Sequence, residues 1–121
     1  ALLLRLAIAS RDSHQESATQ HYRQLLEARY AAAQLRGSNL HARDEALYLL
    51  EFGGDQNKAL ALAQSNWQIQ KEPEDTRLLL RAALAAKRQD IVATIQQWLT
   101  TQKQQDVRLQ SLLISLSTGN T

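Results

Sequence analysis

Three histidines, His14, His21 and His41, are the side chains with the widest chemical range in this chain. His14 and His21 stand two helical turns apart, with Asp12 and Glu16 nearby in sequence. A helical zinc pair uses i, i+4 spacing, which sends both imidazoles off one face at one level, and it needs a third ligand. Neither condition is met, so the histidines read as ordinary surface or partly buried side chains. Ser10, Ser13 and Ser17 surround His14. A nucleophile, however, needs a base that is itself held by an orienting group, and these serines read as helix-cap and surface hydroxyls. Paired carboxylates at Asp44-Glu45 and Glu74-Asp75 fall in early helical turns, where the positive end of the helix dipole already accounts for them. Gly53-Gly54 lacks both the lysine and the preceding strand of a phosphate loop. With no cysteine, thiolate chemistry and disulfides are excluded. The expectation is no catalytic residue, no metal site and no cofactor.

The elements that would position any binding side chains are helical. Ala and Leu make up about a third of the residues, Val and Ile are scarce and aromatics are 5%, a mixture that favours helix and offers little to a sheet. At 121 residues the chain is one domain by length. Its 14 basic and 12 acidic residues give a net charge of +2, with both signs interspersed. A nucleic-acid footprint needs clustered Lys and Arg; here Arg77, Arg81, Lys87 and Arg88 mix with Glu74, Asp75 and Asp90, which argues against such a partner. No apolar run approaches the length of a membrane span. Methionine is missing even at the first position, so a processed protein or a piece of a longer one is expected. Ala1 to Ser10 has the look of a signal-peptide end, but Arg5 interrupts the apolar run and no charged segment precedes it. Leu2, Leu3, Leu6 and Ala9 on one helical face predict a first helix instead.

Asp55 and Asp90 each follow one helix-like run and open another, 35 residues apart. A period of this size marks stacked helical hairpins, each burying its apolar face only against a neighbour. The predicted hairpins cover about residues 1–36, 39–71 and 74–102, with a trailing helix at about 105–116, seven helices in one domain of residues 1–121. Ser13 and Glu16 form a capping-box pattern for the second helix, whose stripe is Ala18, Tyr22, Leu25, Leu26, Arg29 and Ala33. Gly37 closes that helix in a left-handed conformation, and Ser38 or Asn39 caps the third. Asp55 caps the fourth, in which Ala59, Leu62, Ala63 and Asn66 line one face and Leu60 and Trp67 another. Pro73 fits the first turn of the fifth. Trp67 and Trp98 read as packing anchors. Residues Ser117 to Thr121 are expected to fray.

Gly54-Asp55 through Ala59, and again Gln89-Asp90, resemble the turn and small-residue second helix of a tetratricopeptide repeat (TPR). The stretch from His41 to Leu80 fits best and the segment to Leu99 more weakly. The run Ala59-Leu60-Ala61-Leu62-Ala63, Asn66-Trp67, Gln70, Glu72-Pro73 and Arg77 to Leu80 is similar to one in bacterial TPR-like proteins. The family's early aromatic is replaced by Arg43 and Leu78, and its closing proline arrives late, at Pro73. The resemblance implies an all-α, right-handed α-solenoid whose ligands lie in a concave groove lined by first helices. The matching partner-binding positions are His41, Asp44, Tyr48 and Glu51, then Thr76 and Lys87. A clamp for a peptide's C-terminal carboxylate is rejected, because Asp44 and Tyr48 stand where it needs Lys and Asn.

The resulting expectation is a non-enzymatic interaction module or scaffold that grips a peptide or partner helix, with Tyr48 the aromatic set to meet it. Two other readings stay open: a helical-repeat reader of single-stranded RNA, and an assembly domain of a larger enzyme. Apolar first and last helices also point to self-association. The resemblance leans to a bacterial source, with the periplasm and cytoplasm both open.

Overall fold

The dominant local fact is Ala and Leu in runs broken by short polar turns, and those runs fold as helices throughout. A computed structural model describes residues 2–118. Among them there are six α-helices and no strand: α1 (Leu2–Asp12), α2 (Glu16–Leu35), α3 (Ala42–Glu51), α4 (Gln56–Ile69), α5 (Pro73–Ala85) and α6 (Gln89–Ser117). The residues expected to fray at positions 119–121 lie outside the described residues. The chain divides into two units, Ala1–Lys87 and Arg88–Thr121.

In the first unit α1 packs on α2, α3 on α4 and α4 on α5, with further contacts of α3 to α1 and α5. Small residues let these backbones approach: Ala46, Ala59, Ala63, Ala82 and Ala83 are all fully buried. At the other end a core of Leu4, Ala7, Leu26, Tyr30 and Tyr48 is flanked by Leu3, Ile8, Tyr22, Leu47 and Phe52. The face of α1 that is buried runs through Leu4, Ala7 and Ser10, while Leu2 and Leu6 of the predicted face are exposed. The α1 sequence is apolar on two sides, and the side carrying Ala7 is the one that enters the core.

The helix ends follow local chemistry in some places and not in others. Asp55 caps α4, its carboxylate accepting from the N–H groups of Asn57 (3.0 Å) and Lys58 (3.2 Å). Gly37 (φ 66°) and Gly53 (φ 69°) take the left-handed conformation that ends α2 and α3. Lys87 (φ 59°) takes it after α5, 34 positions beyond Gly53. The expected Ser13–Glu16 box is not used: α2 starts at Glu16 after Gln15, with no side-chain cap. Likewise His41, not Ser38 or Asn39, precedes α3, and Ser38 instead accepts from the Leu40 N–H. Asp90 does not occupy the place that Asp55 does; it lies inside the first turn of α6, paired with Arg88.

The second unit holds the main departure from expectation. Residues 90–102 and 105–116, read as two helices, form one helix of 29 residues. The intervening Thr100-Thr101-Gln102-Lys103-Gln104 contains no Gly or Pro to stop it. Both threonines also turn their hydroxyls back onto the helix, donating to the carbonyls of Gln96 and Gln97 at 3.0 Å. Among the described residues the helix count is therefore six, not seven.

Replacing Asp55 by Ala is expected to destabilise the chain by about 1 kcal/mol, and by Asn to leave it nearly unchanged. Urea unfolding midpoints check this. Equal losses in both variants would show that the cap hydrogen bonds contribute nothing.

Candidate functional site

The helices α1, α3 and α5 are joined by one carboxylate. Glu51, at the end of α3, meets Arg11 of α1 at 2.9 Å and Arg81 of α5 at 2.7 Å. Burial alone pushes this carboxyl up, but the hydrogen bonds from Arg11 and Arg81 outweigh it and hold it below its ordinary value of 4.5. A second link runs from Arg43 of α3 to Glu74 and to Asp75, both in the first turn of α5.

Between α1 and α3 these ties leave a groove of about 890 Å³. Its apolar wall comes from Leu4 and Ile8 of α1 and Leu47 of α3. Its rim carries Leu40, 83% exposed, and Ile69, 72% exposed. Arg5, His41, Arg43 and Asp44 supply charge and hydrogen-bonding capacity along it. Asn66 and Gln70 line it from α4, the Gln70 side-chain amide donating to the Asn66 Oδ1 at 3.0 Å. Asn66 in turn donates to Asp75 at 2.8 Å.

Of the six positions expected to meet a partner, His41 and Asp44 line this groove. Asp44 also accepts from the Tyr30 hydroxyl at 2.8 Å. Burial and that bond, in that order, raise the Tyr30 phenol far above its usual value, so it stays a donor. The other four lie elsewhere, and each for a visible reason. Tyr48, expected to face a ligand, is 5% exposed between Tyr30 and Phe52. Its hydroxyl donates to Glu27 and accepts from Arg23, because long side chains of α2 reach across to that face of α3. Glu51 is occupied by the two arginines. Thr76 is buried and accepts from the Trp67 indole N–H at 3.1 Å, which makes Trp67 the anchor that its surroundings predicted. Lys87 sits in the turn after α5.

A separate polar hollow of about 720 Å³ at the α1–α2 turn is lined by Arg11, His14, Glu16, Ser17 and Arg23. His14 there has φ 58° and makes the turn itself. Among the described residues no group of three or more His, Asp or Glu is placed to hold a metal ion. Among the same residues no helix is long and apolar enough to cross a membrane.

Sequence reasoning missed Leu40 and Ile69, whose signal was a large aliphatic residue set among polar neighbours at a helix end. It also accounts for Asp75 by the helix dipole alone. The clue was Asn66, a polar residue inside the apolar run from Ala59 to Trp67, which required a buried partner. No family model, curated protein or solved structure matches the chain.

Because the carboxyl of Glu51 is held below 4.5, its contribution is complete above that pH and is lost as pH falls through the lowered value. Glu51→Gln should lower stability at neutral pH by about 1 kcal/mol and flatten the acid limb of the stability profile. Thermal unfolding across that range is the check; an acid limb identical to the parent protein's would remove Glu51 from this role.

Proposed function

We propose that the chain is a non-enzymatic, TPR-like module that holds an extended segment or a helix of a partner protein in the groove between α1 and α3. One observation carries this reading: Leu40 and Ile69 stand at the rim of a preformed hollow, each with most of its surface open to water. Burying an aliphatic side chain of this size is worth about 1.5–3 kcal/mol, so two of them beside a groove form an anchor pair of the kind that dominates interfaces. Leu4, Ile8 and Leu47 continue the apolar surface inward.

The backing of the groove supports the same reading. Its walls are helices, and Arg11, Glu51 and Arg81 tie α1, α3 and α5 together, so little ordering is left to be done on binding. The left-handed residues Gly53 and Lys87 end α3 and α5 at corresponding places, in keeping with a hairpin period of TPR size. The partner segment suited to this site presents two apolar side chains flanked by polar groups able to meet Arg5, His41 and Asp44. Tyr48 and Glu51 hold the helices that frame the groove and do not themselves meet the partner.

A random-peptide selection on the intact chain, followed by affinity measurement, tests the site. The double variant Leu40→Asp, Ile69→Asp should bind the selected peptides at least about tenfold more weakly, a loss of about 1.4 kcal/mol. Its unfolding midpoint should stay unchanged, since both side chains are exposed. Undiminished affinity in the double variant would place the binding surface elsewhere. Displacement of the peptides by homopolymeric RNA, with steep salt dependence, would favour the RNA reading instead.

A further inference from the structure

The second half of α6 carries a leucine stripe that nothing in its own unit covers. Leu109, Leu112, Leu113 and Leu116 follow i, i+3, i+4, i+7 spacing and are 55%, 57%, 55% and 63% exposed. An isolated helical segment of this length is marginal in water and takes its stability from packing of such a face. The stripe belongs to a longer seam: Trp98, Gln102, Gln105, Leu109, Leu112 and Leu116 alternate steps of four and three, the repeat of a two-stranded coiled coil.

We propose that α6 pairs with α6 of a second copy of this chain, in parallel and in register. Three observations select that occupant. The seam carries no charge, since Lys103, Asp106 and Arg108 all lie off its positions, so two identical seams meet without repulsion. In-register pairing places Leu109, Leu112 and Leu116 each against its own copy. It also places Gln102 and Gln105 each against its own copy, where an amide offers both donor and acceptor to its twin. An antiparallel pair over the same length would set leucines against glutamines, and one centred on the leucines would overlap for only about three turns. The third observation is area. The four leucines with Leu99 and the stems of the two glutamines expose on the order of 600 Å² per copy, close to the roughly 800 Å² per partner of a standard interface.

The pairing uses no residue of the groove, so it and the proposed function fail separately. Light scattering on the intact chain should give twice 13.6 kDa at high concentration. Leu109→Lys with Leu116→Lys should raise the dimer dissociation constant at least about tenfold. Lysine is as good a helix former as leucine, so this variant acts on the pairing of the two faces and not on intrinsic helix propensity. Val107→Lys with Ile114→Lys, on the opposite side of the helix, should leave the dimer intact. The chain has no cysteine of its own, so Leu112→Cys should form a single cross-link under mild oxidation when the two helices run parallel and in register. A mass of 13.6 kDa at every concentration overturns the proposal. So does a dimer indifferent to the Leu109 and Leu116 changes, or one in which Leu112→Cys does not cross-link.

Discussion

A fully buried carboxylate holds the first unit in order. Asp75 has no exposed surface. It accepts from the Asn66 amide of α4 at 2.8 Å and from the Glu72 N–H at the start of α5 at 3.2 Å, with Arg43 of α3 at 3.6 Å. A charge taken out of water is tolerated only where partners replace its hydration, and here they come from three helices. Satisfying it fixes the level at which α5 begins relative to the end of α4, and sets α3 against both. Beside it, the Trp67 indole donates to Thr76, repeating the α4–α5 tie one residue further on.

That constraint reaches the groove. Asn66 and Gln70 line it, Gln70 is hydrogen-bonded to Asn66, and Asn66 is hydrogen-bonded to Asp75. The polar side of the groove is thus the exposed end of a chain of bonds anchored in the interior. On the other side, Arg11 and Arg81 converge on Glu51 and hold the first helices together. The apolar rim residues Leu40 and Ile69 lie on this frame without contributing to it, which is why they are free to meet something else.

The helical class, the Asp55 cap, the left-handed Gly37, the Pro73 start and the small-residue packing of α4 were all readable from residue type and spacing. Each depends on atoms within a few residues of itself. Tyr48, Glu51 and Thr76 were assigned to a binding face because helical spacing gives a face but not what lies against it. Arg23 and Glu27 reach Tyr48 from α2, and Arg81 reaches Glu51 from α5, over separations that no local pattern records. The uninterrupted α6 departs from expectation for the opposite reason: a polar stretch suggests a break, but it lacks a residue that stops a helix. Asp75 was explained by the helix dipole alone, a sufficient local cause that concealed a tertiary one.

The most direct measurement is a double-mutant cycle on Asn66→Ala and Asp75→Ala, each alone and together, read by urea unfolding of the intact chain. If the buried carboxylate organises the unit through Asn66, the two losses should fail to add by about 1–3 kcal/mol. Losses that add within error would show that the two side chains act independently and that the frame of the groove rests on something else.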